Sequence, residues 1–472
     1  MARTAIVWFR RDLRLADNEA LNHAVAVAER VSPLFVVPVQ GMVGAPDTAS
    51  ATWLDSSLRA LDASLRARGS SLTVLAGPAP DAVVSAATAI EATVVTCSRD
   101  WTPSGLAEEH AVKQALDVVG VELRVHEGQL LLTPGKIVTG SGTPYSVFTP
   151  FSRAWSAALD PAAPTPAPSR IPGSDSGGAP AAASVTTPIL GGYDHVLGDW
   201  TPGEAGAQAR LTTFIEDAIS DYDSERDIPA LPGTSMLSAH LAWGEISPRQ
   251  VVAAANAACG ESAAWPFVRQ LAWREFAHHV LHAHPETQRE PLRPAFAAFP
   301  WRDDPEGTAA WLAGTTGFPI VDAGMRQLAQ TGWVHNRVRL IVASFLTKDL
   351  LVPWQTGEEA FRERLVDYDP AANAFNWQWV AGSGADAAPY FRVFNPTVQG
   401  ERFDPSGAYV SRWVPELAAL EPRWIHKPHL APPLSLMEAG VVVDETYPSP
   451  ILDHAEARIR ALAALGSLKG VR

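Results

Sequence analysis

Cysteine is nearly absent. Cys97 and Cys259 are the only two in 472 residues, so no disulfide framework braces this chain and a reducing compartment fits it. No uninterrupted apolar run of spanning length occurs, which excludes membrane helices as the organising principle. The opening MARTAIVWFRRDLRL breaks into charge after a short apolar run and so lacks the pattern of a secretory leader; a cytoplasmic location is expected. A G-x-G-x-x-G turn is also missing, so a dinucleotide site of the usual Rossmann type is not indicated. Charge is sparse at 19%, and its balance of −14 argues against a protein that holds nucleic acid by bulk charge. That deficit is uneven, because residues 266–412 hold 14 Lys/Arg against 16 Asp/Glu and are nearly neutral.

What is present points to a globular protein of two or three domains, since 47% of the residues are hydrophobic. Up to about residue 128, the short apolar runs AIVWF, PLFVVPV, LTVLAG, ATVVTC and ELRVH suit buried parallel strands. Helical stretches separate them, as in TWLDSSLRALDASLRARG, where Leu54, Leu58, Leu61 and Leu65 share one face and Gly69 stops the helix. This predicts a doubly wound α/β domain over 1–128. A linker over 129–203 follows, rich in Pro, Ala, Gly and Ser in part, and then a larger all-α domain over 204–472. No internal repeat is apparent.

Tryptophan is the unusual abundance: 16, against 7 tyrosines, with more than half of them between Trp243 and Trp379. Indole N–H groups need partners when buried, so this density asks for a reason. The stretch DYDPAANAFNWQWVAG (367–382) concentrates the question. Read locally it is a helix start, with Asp369 as the cap, Pro370 in the first turn and the tryptophans packed. That leaves Asp367 and Asn373 without a task. Upstream, GTSMLSAHLAWGEISPRQV (233–251) sets Thr234, Ser235 and Ser238 at a helix start, a place that suits phosphate as well as an ordinary cap.

These segments, with WREFAHHVLHAHP, TGFPIVDAGMRQLAQTGWVHNRVRLIVASFLTKDLLVPW and the opening VWFRRDLRLADNEAL, strongly resemble the DNA photolyase and cryptochrome family. The likeness runs over nearly the whole chain in the same order and is greatest to class I cyclobutane pyrimidine dimer photolyases. It implies FAD held in the helical domain. By this resemblance, Tyr222, Thr234, Ser235, Met236, Leu237, Ser238 and Phe267 match pyrophosphate and ribose contacts, although a subset of relatives has Arg and Trp at Met236 and Phe267. Arg274, Asn336 and Tyr368 also fall among the implied cofactor contacts. Arg339 and Asp349 match an ion pair beside the flavin ring, and their ten-residue spacing is close to three helical turns. Asp367 and Asp369 match acids at the ring edge and ribose, and Asn373 matches the residue that faces flavin N5. Trp377, Trp354 and Trp301 match an electron-transfer chain, although core packing would account for any one of them alone.

The resemblance implies UV-damaged DNA as partner, a monomer, no membrane, and light-dependent lyase chemistry on pyrimidine dimers. Trp273 and Trp379 match aromatic planes for an extruded base pair. Arg226, Gln270, Asn336, Arg337 and Gln399 match residues that touch phosphate or lesion. Three positions depart from dimer-repairing relatives: Gln270 replaces a usual Glu, Leu340 a frequent Met and Asn376 a frequent Gly. The alternatives are a blue-light-sensing cryptochrome without repair and a DASH-type single-strand photolyase. A (6-4) photolyase is disfavoured, because Asn336 and Leu340 stand where its histidines would be. HHVLHAH places His278 and His282 four apart, but no Cys or acid falls at a matching third position, so no metal is expected. A second, antenna chromophore is implied, an 8-hydroxy-deazaflavin or a methenyltetrahydrofolate, with Asp100 of RDWTPSG resembling the deazaflavin pattern.

Overall fold

The five apolar runs of the N-terminal region become the five strands of one parallel sheet in the computed structural model, which describes residues 3–38, 43–46, 48–159, 162–173, 193–386 and 392–468. They are β1 (Thr4–Phe9), β2 (Arg30–Val36), β3 (Thr73–Leu75), β4 (Val94–Ser98) and β5 (Glu122–His126). Their order is β3-β2-β1-β4-β5, so the chain reverses its direction of winding between β1 and β4. In open sheets of this kind, polar loops gather beyond the strand ends at that point. The connecting helices are α1 (Glu19–Val27), α2 (Ala49–Arg66), α3 (Ala79–Ala89) and α4 (Pro103–Val119). Val83, Ala87, Val112 and Leu116, from α3 and α4, close over Ile6, Trp8, Leu34 and Val95 of the sheet. All four leucines predicted on one face of α2 are buried.

Within 129–203 the chain forms α5 (Phe148–Ala158), with Phe148, Phe151 and Trp155 buried. The Pro/Ala/Gly-rich stretch 174–192 lies outside the described residues. Helices then follow without a further strand among the described residues: α6 (Glu204–Asp217), α7 (Tyr222–Glu225), α8 (Ser238–Trp243), α9 (Pro248–Cys259) and α10 (Glu261–Ala283). Ser247 and Gln250 start α9 with a reciprocal capping box. The next set is α11 (Pro305–Ala313), α12 (Pro319–Thr331), α13 (Asn336–Ser344), α14 (Trp354–Arg364) and α15 (Pro370–Ala381). The last are α16 (Pro396–Phe403), α17 (Ala408–Trp413), α18 (Pro422–Ile425), α19 (Pro433–Ala439) and α20 (His454–Leu468).

The helix read through NRVRLIVASFLTKDLL changes pitch: α13 ends at Ser344 and a π-helical turn covers Phe345–Asp349. Lys348, buried in that turn, donates to the Ala381 carbonyl at 2.6 Å, at the C-terminus of α15. Two compact units result. The first comprises 1–220, 235–285 and 366–371; the second comprises 221–234, 286–365 and 372–472. No helix among the described residues is long and apolar enough to cross a membrane.

Candidate functional site

The sequence-predicted residues divide between the two units. The first holds Ser235, Met236, Leu237, Ser238, Phe267, Gln270, Trp273, Arg274, Asp367, Tyr368 and Asp369. The second holds Tyr222, Arg226, Thr234, Trp301, Asn336, Arg337, Arg339, Asp349, Trp354, Asn373, Trp377, Trp379 and Gln399.

In the first unit, the segment 366–371 carries Asp367, Tyr368 and Asp369, all buried. Asp369 accepts from Arg11 Nη2 at 2.7 Å and lies 3.2 Å from His278 Nε2. Burial alone would raise the Asp369 carboxyl, but His278, Arg11 and Arg274 outweigh it and hold it well below the carboxylate range. The pair His278 and His282 is thereby accounted for: His278 serves Asp369, and His282 meets the Trp101 ring edge-on at 5.2 Å. Arg11 also donates from Nε to the Ala242 carbonyl near the end of α8, at 2.9 Å. Arg274 reaches the Leu241 carbonyl in the same helix, at 3.4 Å, and that of Gln129 at 3.0 Å.

Of the three hydroxyls, only Ser238 lies in helix α8. Ser235 Oγ accepts from Leu237 N at 3.4 Å, and Leu237, at the N-cap position, supplies no side-chain cap. Between them Met236 takes a left-handed backbone with φ of 50°, a conformation unusual for its type. Arg210 Nη1 approaches the Met236 sulfur at 3.5 Å, and Phe267 packs on Phe214 at 4.6 Å. Gln270 donates its amide to the Pro266 carbonyl at 3.0 Å. Trp273, one turn further along α10, is partly exposed and lies flat on Phe148.

Asp100, the acid matched to the antenna pattern, accepts from Thr102 N at 3.0 Å and sits 3.7 Å from Arg11 Nη1. A Cβ on Gly105 would meet its carboxyl carbon at 2.5 Å, so Asp100 is packed tightly at the start of α4.

In the second unit, Asn373 is held by one partner. Its Nδ2 donates to Glu358 Oε1 at 2.9 Å and to the Glu358 carbonyl at 3.1 Å. Asp349 does not make the ion pair with Arg339 that the resemblance implies. The π turn rotates it off the face that a continuous α-helix would share, and it pairs instead with His454 Nδ1 at 2.6 Å. Burial pushes the Asp349 carboxyl up, against the pull of His454. Its other oxygen, Oδ2, is buried without a hydrogen-bond partner, which leaves an acceptor for a further polar group. Arg339 Nε donates to the Val334 carbonyl at 2.8 Å.

Trp377 and Trp354 are buried, whereas Trp301 is partly exposed and touches Phe299 at 4.4 Å. The ring neighbours of Trp377 are Phe361 at 5.1 Å and Trp311 at 6.2 Å, both edge-on. Trp379, partly exposed, donates its indole N–H to Asp386 O at 3.0 Å. Arg337 is paired with Asp227 at 2.8 Å and lies over Phe403 at 4.4 Å. Arg226 lies over the Tyr222 ring at 5.4 Å, Asn336 is exposed at the start of α13, and Gln399 is half-buried on α16. Thr234 is also half-buried.

The residues that sequence reasoning missed are the partners: Arg11, Phe148, Asp227, Glu358, Phe403 and His454. Arg11 lay inside a quoted motif, VWFRRDLRLADNEAL, while Glu358 and His454 carried no local signal.

Comparison with known proteins matches residues 5–169 to the DNA photolyase model and residues 267–467 to the FAD binding domain of DNA photolyase. The chain is 46% identical to the deoxyribodipyrimidine photo-lyase of Agrobacterium fabrum, over 98% of both chains. To Cryptochrome-1 of Arabidopsis thaliana it is 35% identical, over 98% of this chain and 70% of that one. The structure of a bacterial class III photolyase from Agrobacterium tumefaciens superposes with a TM-score of 0.95 at 45% identity, over 100% of this chain and 98% of the other. An archaeal photolyase from Sulfolobus tokodaii, solved with two FAD molecules, gives 0.81 at 30% identity, over 98% and 100%.

Proposed function

Because the chain belongs to the DNA photolyase and cryptochrome family and carries its FAD-binding domain, we propose that it repairs cyclobutane pyrimidine dimers in UV-damaged DNA under light. The observation that carries this reading is the near-full-length likeness to proteins named deoxyribodipyrimidine photo-lyase.

The residues fit FAD. The buried Asp349 Oδ2, without a partner of its own, suits a donor group of the cofactor. When bound, FAD supplies the light-absorbing, electron-donating group. The chain's own residues supply positioning. With the Asn373 amide nitrogen committed to Glu358, its Oδ1 would be the atom offered to a bound flavin, as an acceptor with no proton to give. Trp301, Trp354 and Trp377 relay an electron inward from the surface. Arg11 and His278 keep Asp369 ionised and fixed. Trp273 and Trp379 present planes for a dimer taken out of the base stack, since chemistry on a stacked base requires extrusion, in photolyases as elsewhere. Gln270, with an amide in place of the usual carboxylate, is a side chain of a type that can both donate to and accept from a pyrimidine edge. Arg226, Arg337, Asn336 and Gln399 serve the DNA backbone and lesion. An antenna chromophore belongs to the proposal, and the absorption spectrum of the purified protein identifies it.

The test is turnover of a dimer-containing oligonucleotide under blue light by protein with reduced flavin. Full flavin content without dimer reversal would reject repair and favour the sensor reading, which the likeness to Cryptochrome-1 keeps in play.

A further inference from the structure

The Phe148 ring lies parallel to the Trp273 indole, with centroids 3.5 Å apart and planes within 8°. Phe148 belongs to the first turn of α5 and is only 6% exposed. Behind it stand Phe276 at 5.9 Å and Phe151 at 6.5 Å, and these two meet each other at 4.8 Å. Both are fully buried. The stack therefore runs from a partly exposed indole into the packed core of the first unit.

This core is tied together at one carboxylate. Glu275, on α10 next to Phe276, accepts from Trp155 Nε1 of α5 at 2.7 Å and from Leu132 N at 3.1 Å, and also from Leu131 N. His279, one turn on, lies 3.1 Å from the Leu132 carbonyl through its Nε2. Helix α5 and residues 131–132 are thus fixed to the helix that carries Trp273.

We propose that Phe148 is a positioning residue for lesion recognition: it covers one face of Trp273 and so fixes the plane on which an extruded pyrimidine dimer stacks. The proposal rests on the photolyase reading. A partly exposed indole without such a backing samples several rotamers, and ordering it on binding subtracts from the stacking gain. A parallel ring at van der Waals distance removes that cost before the lesion arrives. The dimer then meets a rigid plane, and undamaged duplex, which does not insert a base, gains nothing from it.

The experiment is a double-mutant cycle in the dark, measuring affinity for dimer-containing and undamaged oligonucleotides with holoprotein at fixed salt. Phe148→Leu should weaken dimer binding roughly 3- to 10-fold and leave undamaged DNA within about twofold. In a Trp273→Ala background, Phe148→Leu should add nothing, because no plane remains to position. Equal losses on both DNAs, or an undiminished Phe148→Leu effect beside Trp273→Ala, would overturn the proposal by making Phe148 a plain core residue. Should Trp273→Ala itself leave dimer discrimination intact, the underlying assignment of Trp273 fails, and this is a separate result. Phe148→Met, unbranched and still apolar, runs through the same cycle if the leucine variant does not fold.

Discussion

Arg11 and Asp369 are 358 positions apart in sequence, yet the guanidinium donates to the carboxylate at 2.7 Å with both side chains buried. Arg11 leaves β1 within FRRDLRL, and Asp369 stands just before α15, so one pair joins the α/β sheet to the acid segment expected to serve the flavin. Removing one member of a buried pair strands the other charge, at a cost of about 3–5 kcal/mol. Arg11→Met should therefore lower the urea midpoint and the FAD-to-protein ratio together. Combining it with Asp369→Asn should cost clearly less than the two single losses added. Strict additivity in that cycle would show that the two side chains do not stabilise each other.

Much of this architecture was legible in advance, for a physical reason. Parallel strands covered on both faces read as apolar runs, and all five runs became strands, buried in β1, β4 and most of β2 and only partly covered in the edge strands β3 and β5. The long periodic helix α2 was equally plain. Helix α5 was not: Phe148, Phe151 and Trp155 do share one buried face, but the segment is short and borders a Pro-rich stretch that reads as linker. The site residues were legible only as motif matches, and their partners hardly at all. Glu358 reaches Asn373 across 15 positions, and His454 reaches Asp349 across 105. Such pairings arise from tertiary packing, which no local periodicity encodes. The Arg339–Asp349 expectation failed on a single inserted π turn.

Asn373→Asp tests the amide beside Glu358. The substitution sets a second carboxylate where a 2.9 Å donor stood, and two buried carboxylates that close cannot both ionise. The shared proton raises the pair's titration above the ordinary range, so stability is retained at low pH and lost as pH rises through that value. The variant's flavin absorption should shift with pH between about 5 and 8, where the wild type stays flat. A flat spectrum with unchanged stability would remove Glu358 as the residue that sets Asn373.

Trp377 can be approached in two ways. Trp377→Phe should block light-driven reduction of oxidised flavin, since Phe is far harder to oxidise, while repair from chemically reduced flavin persists. Gly357→Ala leaves the indole in place chemically but not geometrically: the new Cβ would lie 2.1 Å from Trp377 Cη2. Overpacking of this kind costs about 1–3 kcal/mol and should slow photoreduction without removing the ring. Photoreduction at the wild-type rate in Trp377→Phe would take Trp377 out of the relay.

Glu275 gives a pH signature. Burial pushes its carboxyl up to about 7, against the opposing hydrogen bonds from Trp155, Leu131 and Leu132. The folded state therefore binds a proton that the unfolded chain releases near 4.5, and the wild type loses stability as pH rises between those values. Glu275→Gln cannot titrate. Its stability relative to wild type should thus improve from pH 4.5 to pH 7.5, by up to about 3 kcal/mol, whatever the constant cost of facing three donors with an amide. Parallel curves for the two proteins would place the Glu275 titration outside this window.

The lesion platform makes the most selective demand. Trp379 lies on α15, partly exposed, with its N–H fixed to the Asp386 carbonyl, so its ring orientation is set before any ligand arrives. Stacking on an aromatic ring is worth about 1–3 kcal/mol per base. Trp379→Ala should therefore weaken binding of dimer-containing DNA roughly 5- to 150-fold at fixed salt. Undamaged DNA should change far less, because phosphate contacts from groups such as Arg226 and Arg337 govern it. Those contacts also predict that salt weakens both DNAs with the same slope in wild type and variant, as an indole releases no counterions. Flavin content should stay normal, since Asn373, Asp349 and Asp369 keep their own partners. Affinities for both DNAs, their salt slopes and the flavin ratio can be read from one preparation. Equal losses on damaged and undamaged DNA would deny Trp379 a lesion-reading role and shift weight to the sensor reading.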